Sequence, residues 1–123
     1  MNEQPKLLIV DDEPLNVDYI FQEFEDSGYQ LLTAYDGQEA LDKIQKELPD
    51  LVLLDLMMPV LDGFAVLIHV KSDPQLREIP VIITSAASDS RSIVKGIKMG
   101  ADDYLTKPLD EDLLLQKVEE YLG

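Results

Sequence analysis

The chain has no cysteine and no tryptophan, and it has one histidine among its 123 residues. Without cysteine it can form no disulfide, no thiolate nucleophile and no cysteine-based zinc or iron–sulfur site. A reducing compartment suits this composition, and we expect the protein to be cytoplasmic. We also expect neither a secretory leader nor a membrane span, since the polar segment 1–6 is followed by only four apolar residues.

Basic residues are scarce as well. Ten Lys and Arg stand against 25 Asp and Glu, which gives a formal net charge of −15. Such a charge opposes contact with phosphate backbones and with anionic lipid, so we expect no direct binding of nucleic acid or membrane. The chain is long enough for one ordinary domain and is 46% hydrophobic, which predicts a single folded domain over residues 1–123.

Short β-prone runs alternate with segments of helical periodicity along the whole chain. In the first such segment, one helix face is marked by Val17, Ile20, Phe21 and Phe24. Pro14 suits the first turn of this helix and Gly28 its C-terminal cap. Asp36 and Glu39 form a capping pair before the second helix, which Pro49 ends. The predicted strands are 7–10, 30–34, 51–54, 81–83 and 103–105, and the three later helices are 64–71, 88–99 (with Gly100 as its cap) and 110–122.

This alternation predicts an α/β fold. Strand and helix repeated five times imply a parallel sheet with helices on both faces and right-handed crossovers. We therefore expect a doubly wound, five-stranded, flavodoxin-like sheet with strand order 2-1-3-4-5. In sheets of this kind ligands bind beyond the carboxyl ends of the strands, so the residues that end each strand predict the site.

Those strand ends are polar in four of the five cases. The first ends in Asp11 and Asp12, the third in Asp55, the fourth in Thr84 and Ser85, and the fifth approaches Lys107. Three carboxylates in one pocket repel each other unless a cation compensates, and one lysine is too little. Hard oxygen ligands suit Mg²⁺, which keeps water positions that a phosphate can replace. The central strand makes Asp55 the best candidate nucleophile toward phosphorus.

The same residues carry a resemblance to a known family. Asp11-Asp12, Asp55 with Met58-Pro59 and Asp62-Gly63 behind it, Ser85-Ala86 and Lys107-Pro108 together resemble the receiver domain of bacterial two-component response regulators. This resemblance spans residues 7–122. It implies a magnesium-dependent phosphoprotein that accepts phosphoryl from a histidine kinase or a histidine phosphotransfer protein in a phosphorelay, and that acts as a switch rather than as an enzyme.

The resemblance also implies a role for each site residue. Asp55 is the phosphoacceptor, and it binds Mg²⁺ together with Asp12 and the backbone carbonyl of Met57, while Asp11 binds through a water. A cis Lys107–Pro108 bond is implied as well. The remaining roles are the switch hydroxyl, the switch aromatic and the phosphate-pairing lysine, which fall on Ser85, Tyr104 and Lys107.

Two departures from the family pattern leave questions open. The switch hydroxyl of the family is commonly Thr, whereas here it is Ser85 preceded by Thr84. Strand alternation points these two side chains to opposite faces, so only one can serve, and the spacing from Asp55 and Lys107 favours Ser85. The positions two beyond Asp55 and two beyond Ser85 are Met57 and Ala87, where the family can carry polar groups that orient water.

Three alternative functions fit the residues less well. A phosphohydrolase using an aspartyl phosphate needs a second acid where Met57 stands. An FMN protein needs phosphate donors where the first strand is followed by Asp-Asp-Glu. A receiver that acts by contacts alone is a further possibility. We read His69 as a surface or packing residue.

The output of the switch is not encoded in these residues. The predicted fifth helix ends the chain, so we expect either a stand-alone receiver or the receiver module of a larger protein. The DDEPLN run resembles receivers attached to signalling enzymes or hybrid kinases more than those of transcription factors. The resemblance further implies a switching face made by the fourth helix, fifth strand and fifth helix, which could also support a phosphorylation-dependent homodimer.

Overall fold

A computed structural model describes residues 4–58, 61–86 and 88–123 of the chain. Five strands alternate with five helices, as the sequence predicts. Their bounds are β1 Lys6–Val10, α1 Pro14–Phe24, β2 Gln30–Ala34, α2 Gly37–Glu47, β3 Leu51–Asp55, α3 Gly63–Ser72, β4 Val81–Ala86, α4 Ser90–Lys98, β5 Asp103–Lys107 and α5 Glu111–Leu122.

The strands form one sheet in the order β2-β1-β3-β4-β5, and every neighbouring pair is parallel. The prediction of a flavodoxin-like sheet is therefore confirmed. Parallel pairing places the carboxyl ends of all strands at one edge, and the order reverses between β1 and β3. The first and third strands thus lie side by side where a ligand is expected.

Two apolar clusters cover the two faces of the sheet. Strand residues such as Leu53 pack against α1 and α5, whereas their neighbours such as Leu54 pack against α2 and α3. β3 is buried along its whole length, because both of its faces are covered by helices. The sheet centre is consequently a rigid, water-free base for the polar residues at its edge.

Aspartate side chains cap four of the helices. Each accepts a hydrogen bond from the backbone amide three residues further on, which satisfies an amide that the helix itself leaves without a partner. Pro14 opens α1 instead, as expected. The capping residues are Asp36, Asp62, Asp89 and Asp110.

Four strands extend further than their apolar runs predict, β1 and β3 by one residue each and β4 and β5 by more. β4 continues through Ala86 and β5 through Lys107, with Ser85 paired opposite Thr106. Backbone pairing does not require apolar side chains, so polar residues at the site continue the ladder where a hydrophobicity pattern stops. The extension fixes the backbone of Ser85 and Lys107 within the sheet.

Several helix boundaries also differ from the predicted ones: α3 is Gly63–Ser72 rather than 64–71, α4 is Ser90–Lys98 rather than 88–99, and α5 begins at Glu111 rather than at 110. α1 ends at Phe24 with Glu25 as a right-handed capping residue, and Gly28 adopts φ 90° in the turn beyond it, so Gly28 is not the cap. α4 begins at Ser90 rather than at residue 88, because Asp89 is its capping residue. Met99, rather than the predicted Gly100, is the C-terminal capping residue of α4, and Gly100 follows it with φ 113°, in the left-handed position beyond a helix end that glycine favours.

Within the described part of the chain, no helix is both long and apolar enough to cross a membrane.

Candidate functional site

Three carboxylates meet at the carboxyl edge of the sheet. Asp11 and Asp12 follow β1, and Asp55 is the last residue of β3. One oxygen from each of them lies within 4.8 Å of the others, and among residues 4–58, 61–86 and 88–123 this is the group that offers such a set. The cluster predicted from strand ends is therefore formed.

Asp11 is held by three donors. Its Oδ1 accepts from the backbone amide of Glu13 at 2.9 Å, and its Oδ2 accepts from Lys107 Nζ at 2.9 Å and from Asn16 Nδ2 at 3.3 Å. The carboxylate is 2% exposed, so these bonds fix its orientation in a buried setting. Both oxygens are thus engaged, which suits a role one water removed from an ion.

Lys107 lies between two of the carboxylates. Its Nζ is 2.9 Å from Asp11 and 3.4 Å from Asp55 Oδ1. Burial by itself lowers the pKa of this ammonium, but the hydrogen bonds and charges of Asp11 and Asp55 outweigh it, and the net pKa is raised. Lys107 is accordingly a fixed positive charge beside Asp55.

Asp55 is almost fully buried, with 3% of the residue exposed. Burial first, and then the charge of Asp11, raise the pKa of its carboxyl to about 6, although Lys107 and the Met57 amide oppose the rise. That amide donates to Asp55 Oδ1 at 3.3 Å. One lysine therefore does not compensate the acidic cluster, as its sequence implies.

The residues fit a divalent cation. Carboxylate oxygens are hard ligands, and the three that lie within 4.8 Å of one another are close enough to bind one ion. The three carboxylates carry a charge of −3, which the single ammonium of Lys107 does not balance. Asp12 is half-buried at the rim, and Asp55 is free of the Asn16 contact that holds Asp11. Asp11, Asp12 and Asp55 are therefore the candidate ligands of such a cation.

The two hydroxyl residues of β4 take different positions. Thr84 pairs opposite Asp55 in the β3–β4 register, and Ser85 follows it. Both are buried, at 3% and 2% exposure. The Ser85 hydroxyl donates to Asp89 Oδ2 at 3.4 Å, at the start of α4.

Tyr104 lies on β5, beside α4, and is 44% exposed. A cavity of about 510 Å³ lies between these two elements. The space is lined by Ser90, Ile93, Val94, Ile97, Lys98, Tyr104 and Thr106.

Several other expectations have a structural outcome. The Lys107–Pro108 bond is cis, as the resemblance implies. His69 is exposed and contacts Gln45 of α2 at 3.1 Å between side-chain nitrogens, which fits a surface role. Pro59 of the Met58-Pro59 pair and Ala87 lie outside the described residues.

Sequence reasoning missed two residues at the site. Asn16 lies within the first turns of α1, and its side chain reaches Asp11. Asp89 caps α4 and also accepts from Ser85. The capping pattern offered a signal for Asp89, since aspartate is common just before a helix. No sequence pattern predicts the hydrogen bond from Ser85 to Asp89 or the one from Asn16 to Asp11.

Comparison with known proteins decides the family. A model described as the response regulator receiver domain matches residues 7–119. The chain belongs to the response regulator receiver family. Receiver domains of this family are signalling switches of two-component systems, and the parallel sheet and acidic cluster described above agree with that membership.

Individual relatives differ in length. The receiver is 40% identical over 113 residues to the response regulator PleD of Caulobacter vibrioides, covering 92% of this chain and 25% of PleD. It is 38% identical over 118 residues to protein PilH of Pseudomonas aeruginosa, covering 96% of this chain and 98% of PilH. The chain thus spans a quarter of one relative and nearly all of the other.

Solved structures show the same fold. A putative response regulator from Chloroflexus aurantiacus superposes with a TM-score of 0.92 at 32% identity, covering 98% of both chains. The chemotaxis response regulator CheY4 of Vibrio cholerae superposes with a TM-score of 0.89 at 31% identity, covering 98% of this receiver and 100% of that chain.

Proposed function

We propose that this receiver accepts a phosphoryl group on Asp55, with Mg²⁺ bound, from a histidine kinase or a histidine phosphotransfer protein. The observation that carries the proposal is the ammonium of Lys107, placed 3.4 Å from the buried Asp55 carboxylate and 2.9 Å from Asp11. Family membership supports the same reading.

In the proposed reaction, a carboxylate oxygen of Asp55 attacks the phosphorus atom of a phosphohistidine. The new bond is P–O, the P–N bond breaks, and the released imidazole nitrogen takes up a proton. Asp55, with its pKa raised to about 6, is mostly ionised at neutral pH and can act as the nucleophile. Burial excludes most water from the carboxylate.

The other residues of the site neutralise charge on the phosphoryl group or hold the carboxylates in position. Lys107 pairs with an oxygen of the transferred group, and Asn16 and Glu13 hold Asp11 in place. Asp12, Asp55 and the Met57 carbonyl would hold Mg²⁺ directly and Asp11 would hold it through a water, and the bound ion would neutralise charge on the phosphoryl oxygens.

The proposed switch follows from the same charge change. Ser85 donates its hydroxyl to the phosphoryl group, and Tyr104 turns from its exposed position toward the space that Ser85 leaves. The face made by α4, β5 and α5 changes shape, which alters contacts with an output partner or with a second copy of the receiver.

A phosphodonor assay tests the proposal. The receiver is incubated with acetyl phosphate and Mg²⁺, and intact mass spectrometry follows the gain of one phosphoryl group. We expect the gain for the wild type and for the control Asp42→Asn on α2, and no gain for Asp55→Asn or without Mg²⁺. An equal gain on Asp55→Asn would refute the assignment of the acceptor.

The donor and the setting are tested separately. A phosphorylated histidine phosphotransfer protein should lose its label to the receiver but not to Asp55→Asn. The relatives include both a protein of similar length and one four times as long, so receivers of this kind serve alone and within larger signalling proteins. We propose a cytoplasmic location for this one.

A further inference from the structure

A single carboxylate joins the end of β4 to the beginning of α4. Asp89 Oδ2 accepts from the Ser85 hydroxyl at 3.4 Å, while Asp89 Oδ1 accepts from the backbone amide of Ser92 at 3.4 Å. The backbone of Asp89 also takes part, because its amide donates to Ala86 O at 2.9 Å and its carbonyl accepts from Ile93 at 3.3 Å. Both the side chain and the backbone of Asp89 are therefore held by hydrogen bonds.

Ser85 has one hydroxyl hydrogen to donate. It is 2% exposed, so water does not compete for that hydrogen, and in this structure the hydrogen goes to Asp89. If Ser85 donates to a phosphoryl oxygen on Asp55, as the proposed function requires, it cannot also donate to Asp89. The two bonds exclude each other.

We propose that Asp89 is a positioning residue that holds the Ser85 hydroxyl away from Asp55 until phosphorylation, and that this bond ties the first turn of α4 to the acceptor site. The inference rests on the proposed function. When Ser85 turns to the phosphoryl group, the side chain of Asp89 keeps only its capping bond to the Ser92 amide. The first turn of α4, which borders the cavity beside Tyr104, is then no longer tied to β4 by that side chain.

Beryllofluoride, a phosphoryl analogue that binds a carboxylate together with Mg²⁺, gives a direct measurement. Asp89→Asn retains a good helix cap but offers Ser85 an uncharged and weaker acceptor. Because less free energy is then spent in releasing Ser85, we expect Asp89→Asn to bind beryllofluoride about three- to tenfold more tightly than the wild type. Asp89→Ser should shift the affinity in the same direction.

A double-variant comparison separates positioning from capping. In a Ser85→Ala background the hydroxyl is absent, so adding Asp89→Asn should leave the beryllofluoride affinity unchanged. Asp36→Asn alters the equivalent cap of α2, which accepts from Glu39 at 2.8 Å, and should bind like the wild type. In a Thr84→Val background Ser85 keeps its hydroxyl, so adding Asp89→Asn should still tighten beryllofluoride binding.

The outcomes distinguish the two proposals. Wild-type affinity in Asp89→Asn, or an equal gain in the Ser85→Ala background, would overturn the role of Asp89 while leaving phosphorylation of Asp55 intact. Failure of the wild type itself to bind beryllofluoride with Mg²⁺ would overturn the proposed function and this inference with it.

Discussion

Replacing Asp55 by Asn should make the metal-free receiver more stable at neutral pH. The folded protein holds the Asp55 carboxylate in a buried place beside Asp11, and its pKa rises from 3.8 to about 6. A raised carboxyl pKa means that the ionised group destabilises the folded state. At about 1.4 kcal/mol per pKa unit, the roughly two-unit rise corresponds to about 3 kcal/mol.

The pH dependence follows from the direction of the shift. Below the unfolded pKa of 3.8 Asp55 is protonated in both states and the penalty is absent; it grows as pH rises and is complete above the folded pKa of about 6. The gain from Asp55→Asn should be about 3 kcal/mol at pH 8 and roughly half of that at pH 5. The Asn side chain keeps an oxygen for the Met57 amide.

Urea unfolding at pH 5 and pH 8 in the presence of a chelator measures this gain. Asp42→Asn, on the exposed surface of α2, removes the same charge from a chain of net charge −15 and should change stability by less than about 0.5 kcal/mol. Saturating Mg²⁺ should stabilise the wild type more than Asp55→Asn. A variant no more stable than the wild type at pH 8 would refute the reasoning.

Three further predictions concern a left-handed capping residue, a hydrogen-bonded lysine and a closely packed glycine. Leu48 is the C-terminal capping residue of α2, with a left-handed φ of 49° and 55% of the residue exposed. Because glycine adopts this conformation without strain, Leu48→Gly should raise the free energy of unfolding by about 0.5–1 kcal/mol in urea titration. Lys71 donates to two carbonyls and pairs with Asp102 at 3.2 Å, so Lys71→Met should cost about 1–3 kcal/mol, and a thermal melt with unchanged midpoint would contradict this. A Cβ on Gly63 would lie 2.3 Å from the Asp55 carbonyl oxygen, so Gly63→Ala should cost about 1–3 kcal/mol and weaken Mg²⁺ binding measured by calorimetry.

The order of elements was predictable because it depends on local pattern. Apolar runs bounded by polar residues gave the five strands, and the Asp36–Glu39 pair gave the start of α2, where Asp36 indeed accepts from Glu39 at 2.8 Å. The ends of β4 and β5 were not predictable in the same way. They continue through Ser85 and Lys107 by backbone pairing, which leaves no trace in hydrophobicity.

The sequence alone determined that the strand-end residues reach the site, because parallel strands all place their carboxyl ends at one edge. Asp11, Asp55 and Lys107 meet for that reason, although Asp11 and Lys107 lie 96 residues apart. Only the tertiary structure decided how these groups share their hydrogen bonds. Which oxygen Lys107 contacts and how deeply Asp55 is buried depend on packing between distant elements, and so does the bond from Ser85 to Asp89, since side-chain distances of a few ångströms are set by the assembled core.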